Sequence, residues 1–117
     1  MDIQEYPTGD AVVWRLAGRL TGLGGTEPFD AALSRAVRDR RRAIVLDLGG
    51  VSLVDAGGLG LVATVCRLGA MHNLQLSLAR VPPRVRRLLT VTRLATVLPM
   101  FDTLEASLPE PSFSAQL

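Results

Sequence analysis

The sequence predicts an α/β domain with a mainly parallel central sheet, one antiparallel strand and about four helices. Segments with strand character alternate with segments of helical periodicity, in the order β-β-α-β-α-β-α-β-α. One strand candidate, "AIVLDL" at 43–48, is a nearly continuous apolar run, which is typical of a central strand covered on both faces. Only the first two strands follow one another without a helix, so only this pair is expected to be antiparallel.

The first half of the chain begins with a hairpin followed by a helix. Residues 2–6 and 11–18 are the two strands, and "PTGD" at 7–10 is the turn between them. After the glycine-rich loop that follows, Thr26 is a candidate N-cap. From Phe29 onward, apolar residues recur at helical spacing, which predicts a helix ending near residue 40.

The second half repeats the alternation after the strand at 43–48. We predict a helix at 57–71, a strand at 74–79 and a helix that begins at the two prolines from residue 82. A short edge strand at 96–100 and a last helix at 102–108 follow. Pro99 cannot donate to a central ladder, which is why the fifth strand is assigned to an edge. Residues 1–108 are predicted to form one domain, followed by a loose tail at 109–117.

Composition narrows the classes of function. Hydrophobic residues make up 48% and charged residues 21%, which indicates a packed core. All thirteen basic residues are arginine, and most fall in two clusters, at 38–42 and 80–87. Neither cluster is interleaved with aromatics that stack on bases, so no direct nucleic-acid partner is expected. The longest apolar stretch, 59–66, is too short to span a bilayer, and the N-terminus lacks a signal pattern. We therefore expect a cytoplasmic protein without membrane insertion.

A glycine-rich joint, "LVDAGGLGLV" at 53–62, connects the buried strand to the next helix. Asp55 can cap the N–H of Gly57 or Gly58, and the glycines allow a sharp turn and a close backbone approach. On local sequence alone, the plainer interpretation is a capped helix start. A phosphate-binding loop is the alternative, although neither the joint nor "GLGG" at 22–25 continues into Gly-Lys-Ser/Thr.

Residues with catalytic potential are sparse. His72 is the only histidine and lies at a predicted helix end, where a capping or turn role is the simpler interpretation. No nucleophile–base pair, paired carboxylates or metal-ligand spacing is visible, so we expect neither an enzyme nor a bound cofactor or metal. Cys66 is the only cysteine; it excludes an internal disulfide and is expected to be a buried structural thiol.

The sequence resembles the STAS family, the domain shared by sulphate transporters and bacterial anti-sigma-factor antagonists, and is most similar to the stand-alone antagonists. The resemblance covers about residues 3–108. Its most specific part is "IVLDLGGVSLVDAGGLGLV" at 44–62, supported by "WRLAGRLTG" at 14–22 and by the closing segment that begins with "PPRVRRLL".

The resemblance implies a mechanism with a missing component. In phospho-switched members, the residue after the joint's Asp is a Ser that a kinase-type anti-sigma factor phosphorylates, and the phosphate weakens binding to that partner. Here that position is Ala56, the next is Gly57, and Thr21 stands where the family often has an Asp after the second strand. We therefore expect the surface that binds the partner to be present and the phosphorylated serine that regulates binding to be absent. The residues assigned to partner binding are Thr21, Asp55, Ala56, Gly57, Gly58, Gly60, Thr64, Arg67 and Met71.

Three functions remain open at this point. The first is a regulator that binds a kinase-type anti-sigma factor, as a monomer or weak dimer. The second is a STAS adaptor outside sigma control, such as the cytosolic partner of a transport ATPase. The third is a module that binds a small ligand or nucleotide. The first is the leading hypothesis, and Ala56 supports the second as well, because such adaptors also lack the phosphorylated serine.

Overall fold

The computed structural model describes residues 1–23, 25–93 and 99–101. Among these residues it contains five strands and three helices. In chain order the elements are β1 (Asp2–Thr8), β2 (Ala11–Leu20), α1 (Glu27–Arg38), β3 (Ala43–Val54), α2 (Ala56–Met71), β4 (Gln75–Ala79), α3 (Pro83–Val91) and β5 (Met100–Phe101). The predicted order is confirmed through β5. The predicted helix at 102–108 and the tail at 109–117 lie outside the described residues.

The five strands form one sheet in the spatial order β1-β2-β3-β4-β5. β1 pairs with β2 in antiparallel orientation, and the other pairs are parallel, as the sequence predicts. Right-handed crossovers that all step in one direction place their helices on the same face of the sheet. The described sheet has no reversal of strand order, and so lacks the crevice in which open α/β sheets usually bind nucleotides.

The main core lies between the sheet and the three helices. Inward residues of β2, β3 and β4, such as Trp14, Leu46 and Leu78, form one cluster with buried residues of all three helices. The rings of Trp14 and Phe29 stack with their centroids 6.2 Å apart, which anchors α1 to β2. A smaller buried cluster, Val13, Val45 and Ala79, occupies the other face of the sheet. The run "AIVLDL" is therefore buried on both faces, as predicted.

Asp47 in that run is fully buried and bonded to two arginines. Arg80 donates from Nε to Oδ1 at 2.9 Å and from Nη2 to Oδ2 at 2.6 Å. Arg15 donates to Oδ2 at 3.3 Å, and the backbone N–H of Gly49 donates to Oδ1 at 2.9 Å. Burial favours a higher pKa for Asp47, but these hydrogen bonds and the charge of Arg80 outweigh burial and hold the pKa below its usual value.

β3 is twice as long as the sequence analysis predicts, because it continues past residue 48 to Val54. Its second half, 49–54, pairs with the end of β2 through two register shifts, while pairing with β4 ends at Asp47. The sequence does not reveal this half, since Gly49 and Gly50 interrupt the apolar run and hydrogen bonds to β2 maintain the strand. Residues 96–98 of the predicted fifth strand lie outside the described residues; the described part of this strand is β5, and Pro99 just before it accepts a bond from the Leu78 N–H at 2.8 Å.

The helix limits agree with the predictions to within one or two residues. Thr26 is the N-cap of α1, but its side chain makes no capping bond; its carbonyl accepts from the N–H groups of Phe29 and Asp30. The apolar spacing of α2 predicts that Leu61, Val62 and Val65 face the sheet. Val62 and Val65 are buried as expected, whereas Leu61 is half-buried and packs against the edge of the core.

Candidate functional site

The glycine-rich joint between β3 and α2 is held by Asp55. This residue has an extended backbone (φ −117°, ψ 177°), and its Oδ1 accepts from the Gly58 N–H at 2.7 Å. Its own N–H donates to the Leu20 carbonyl at the end of β2, at 3.4 Å. Asp55 thus caps α2 and connects the joint to the neighbouring strand, which favours a structural role for its carboxylate.

Two glycines of the joint are required by close packing. A Cβ on Gly58 would lie 1.9 Å from the Leu20 carbonyl oxygen, and a Cβ on Gly57 would lie 2.9 Å from the Cα of Gly22. Both distances are far inside van der Waals contact, so only glycine fits without a backbone shift. Gly58 is buried and shapes the joint without offering surface to a partner, whereas Gly57 is exposed.

This packing brings the loop after β2 against the start of α2. Thr21 is half-buried at the end of β2, and Gly22 touches Gly57 across the gap. The parallel pairing of Leu20 with Val54 sets this proximity, because both strands end at the same edge of the sheet. The two segments that the sequence assigns to one docking surface are therefore adjacent.

The outward surface of the joint and of α2 is nearly flat. Ala56, Gly57 and Gly60 are exposed and carry at most a methyl group, and nothing lies within 4 Å of a Cβ built on Gly60. Thr64 is half-buried, and its hydroxyl donates to the Gly60 carbonyl at 2.9 Å. Farther along the helix, Arg67 is exposed and Met71 is 73% exposed. The exposed predicted residues thus lie on one side of α2, and a partner can approach its first turns closely.

The expected contact surface includes the loop at 21–26, but the sequence analysis does not single out Leu23 within it. Leu23 is 88% exposed in the loop after β2, beside the joint. A single large apolar side chain within "TGLGGT" is the signal that could have indicated it, because leucine in a glycine-rich loop has no core to enter. Leu23 is the most exposed large apolar side chain among the described residues, followed by Val91 at 74% and Met71 at 73%.

Cys66 on α2 and His72 at its C-terminus are the two side chains whose chemistry the sequence analysis considers. Burial raises the pKa of Cys66 to about 12, so this half-buried thiol stays protonated at neutral pH. His72 is exposed and is the C-cap of α2. Within the part of the chain that the structure describes, His, Cys, Asp and Glu side chains form no group of three or more suited to holding a metal ion. No helix among the described residues combines the length and the apolar character needed to cross a membrane.

Several solved structures share this fold. An anti-sigma factor antagonist from Mycobacterium paratuberculosis is 22% identical, with a TM-score of 0.69, covering 89% of this chain and 87% of that chain. The anti-sigma factor antagonist SpoIIAA in its unphosphorylated form is 24% identical, with a TM-score of 0.65 and coverage of 90% and 92%. The phosphorylated form of the Bacillus cell fate determinant SpoIIAA is 27% identical, with a TM-score of 0.64 and coverage of 90% and 95%.

A relative with another description has the same architecture. A sulfate transporter family protein from Wolinella succinogenes is 15% identical, with a TM-score of 0.77, covering 96% of this chain and 93% of that chain. The family model described as "Mlab, STAS domain" matches residues 3–100. This match spans most of the sequence, including the joint and the whole of β2, β3 and β4, and the chain therefore belongs to the STAS domain family.

Proposed function

We propose that the chain is an anti-sigma-factor antagonist-like regulator that acts by binding a kinase-type anti-sigma factor in the cytoplasm, without catalysis of its own. The observation that carries this proposal is the exposed, nearly flat surface around Ala56, at the start of α2. In phospho-switched relatives the resemblance assigns a serine to this position. A methyl group there keeps the surface apolar and leaves no hydroxyl to receive a phosphate.

The proposed docking surface combines the joint, the loop after β2 and the exposed side of α2. Leu23 and Met71 are the large exposed apolar side chains, and Arg67 is the exposed charge on the helix. Aromatic, Met and Arg side chains are enriched at protein interfaces relative to the rest of the surface. The carboxylate of Asp55 is already hydrogen-bonded in the helix cap, so we expect Asp55 to contribute to binding by shaping the joint.

Substitution of Ala56 by Glu tests the docking surface. The side chain would extend into solvent at a helix N-terminus, where a carboxylate changes stability by only about 0.3–1 kcal/mol, in the favourable direction. At an interface, the same unpaired charge should weaken binding by about 2–5 kcal/mol. Calorimetric titration of both proteins against a kinase-type anti-sigma factor from the same genome measures this difference.

A matched control comes from the opposite end of the sheet. Gln75→Glu adds the same charge at the exposed start of β4, which pairs with the start of β3 and so lies away from the joint, and should bind as the wild type does. A folded Ala56→Glu variant that binds with wild-type affinity would contradict the proposal and place the partner elsewhere.

Phosphorylation assays test the absence of the switch. Incubated with that anti-sigma factor and ATP, the wild-type chain should remain unmodified, whereas Ala56→Ser should accept one phosphate. Ser52 on β3 is exposed and serves as the internal check, and the hydroxyl of Thr64 is engaged with the Gly60 carbonyl. Intact mass spectrometry showing stoichiometric phosphate on the wild type would contradict an unswitched regulator.

A STAS adaptor outside sigma control is the second candidate. Two findings favour it: the family model is described as Mlab, and a sulfate transporter family protein is among the similar structures. An adaptor of this kind would use the same surface, so Ala56→Glu cannot separate the two functions. Co-purification with an anti-sigma factor supports the first candidate, and co-purification with subunits of a transport ATPase supports the second. In either case we propose that the chain itself is a monomer or weak dimer.

A further inference from the structure

An apolar groove lies beside the joint, between the second half of β3 and α3. It has a volume of ≈ 270 Å³. Val51 and Val85 are buried at its floor, while Leu53 and Leu88 remain 46% and 37% exposed at its sides. Pockets that hold small ligands are usually deeper and larger, about 300–1,000 Å³. The groove therefore suits a few side chains of a protein segment better than a whole small molecule.

One edge of β3 is open along this groove. β3 pairs with β4 only as far as Asp47, and its second half pairs with β2 on the other side. From Gly49 to Val54, no described strand pairs with the edge that faces α3. An open edge next to an apolar groove is the arrangement to which extended peptides add, because backbone hydrogen bonds hold the segment while alternate side chains enter the groove.

The charge at the groove is entirely positive. Arg84 and Arg87 are exposed at its rim, and among residues 1–23, 25–93 and 99–101 neither has a carboxylate within ion-pair distance. Arg84 only approaches the Ser52 carbonyl, at 3.5 Å, which is too long for a strong hydrogen bond. α3 carries three arginines and no acidic residue. An acidic partner would complement this rim.

We infer that the groove between residues 51–54 and α3 receives an extended protein segment in which apolar side chains alternate with carboxylates. The apolar side chains lie between Leu53 and Leu88, and the carboxylates pair with Arg84 and Arg87. The groove adjoins Asp55, so a segment bound there would extend the docking surface of the proposed function. The identity of the natural partner rests on that proposed function.

Two blocked pentapeptides test the groove without any knowledge of that partner. Leu-Asp-Leu-Asp-Leu should shift the amide resonances of residues 51–54 and 85–88 in a saturable titration of the labelled chain, and Leu-Lys-Leu-Lys-Leu should not. The double substitution Arg84→Glu/Arg87→Glu should lower the affinity of the chain for the acidic peptide by roughly ten-fold or more. Arg38→Glu/Arg42→Glu makes the same charge change at the opposite end of the sheet and should leave the titration unchanged.

Each contrary result overturns the inference in a distinct way. Equal shifts with both peptides would mean that the groove is apolar but does not select charge. An absence of shifts at these amides when the acidic peptide is added to the folded wild-type chain would mean that the groove binds no such segment. Shifts at the same amides that grow with protein concentration alone would identify a second copy of the chain as the occupant.

The anti-sigma factor of the proposed function provides the second measurement. Arg84→Glu/Arg87→Glu should reduce its affinity for the chain roughly ten-fold, in addition to any effect at the joint. If Ala56→Glu weakens binding but the arginine variant does not, the proposed function stands and the groove inference fails. If the anti-sigma factor does not bind the wild type but the acidic peptide still shifts the groove, the proposed function fails and the groove remains a docking site.

Discussion

Asp47 carries the only buried charge among the described residues and connects three parts of the sheet. Arg15 comes from β2 and Arg80 follows β4, so one carboxylate joins its own strand to both neighbours. The two arginine side chains are 43% and 44% exposed, which keeps their positive charges hydrated while the carboxylate is buried. Because only the carboxylate is buried, the free-energy cost of removing charge from water is lower than it would be for a fully enclosed ion pair.

Asp47→Asn should therefore be costly at neutral pH. The substitution removes the charge that receives four hydrogen bonds, and we expect a loss of about 2–4 kcal/mol in the free energy of unfolding. Urea titrations of both proteins at pH 7 measure the loss. Asp10→Asn, in the exposed turn between β1 and β2, is the matched control and should change the free energy of unfolding by less than about 0.5 kcal/mol.

The difference between wild type and Asp47→Asn should also depend on pH. The pKa of Asp47 is lower in the folded chain than in the unfolded one, so its contribution is complete above the unfolded pKa. It is lost as the pH falls through the lower folded value. The difference in unfolding free energy should stay constant from about pH 7 to pH 5 and narrow below about pH 4. A difference that is the same at low and neutral pH would contradict this assignment.

Two glycines of the joint make a matched pair with opposite expectations. Gly58→Ala would push a methyl group into the Leu20 carbonyl, and should destabilise the fold by about 1–3 kcal/mol or more. Gly60→Ala meets open space two residues later in the same helix and should stabilise it by about 0.4–1 kcal/mol. Thermal or urea unfolding distinguishes the two. Similar effects of both substitutions would mean that the joint is packed differently from this description.

At the scale of the element, α2 is almost wholly apolar, so its orientation is set by fit. Arg67 is its only charged residue, and glycine occupies both buried and exposed positions. Gly58, Leu59, Val62, Val65 and Gly69 are the buried residues of the helix. The glycines at the two ends of this row allow α2 to lie close to β2 at one end and to β4 at the other.

Adjacent residues on α2 test that orientation. Val65 is 1% exposed, so Val65→Ala should lower the free energy of unfolding by about 1–3 kcal/mol, because it removes buried methyl groups and leaves a cavity. Thr64→Ala should lower it by less than about 0.5 kcal/mol, since Thr64 is half-buried and its hydroxyl bonds only its own helix. Equal losses in urea unfolding would show that the helix is turned otherwise.

At the scale of the whole molecule, Trp14 reports on the main core. It is the only tryptophan, is fully buried, and lies in the cluster that includes residues of all three helices. If the domain unfolds as one unit, the change in tryptophan fluorescence should have the same urea midpoint as the loss of helical circular dichroism. Separate midpoints would show that part of the helical layer unfolds independently of the sheet.

Alternation of strand and helix determines the topology of this molecule from the sequence alone. The hairpin, the buried run at 43–48 and the capped helix after the joint each have a local signal: a turn, a continuous apolar segment, and Asp55 before glycines. Such signals depend only on residues that are neighbours in the chain, so they can be recognised without knowledge of the fold. The adjacency of the loop after β2 and the joint follows in turn from parallel strands that end at the same edge.

Only the tertiary structure decides which residues of these elements are exposed and which are packed. Gly58 and Gly60 look equivalent in the sequence, yet the first is pressed against Leu20 and the second faces open space. The second half of β3 is separated from the apolar run by Gly49 and Gly50, and its pairing with β2 maintains it as a strand. The groove beside it requires an edge that β4 leaves open and a helix distant in sequence. Spacing along the chain carries no information about such contacts, since they arise from where separate elements end in space.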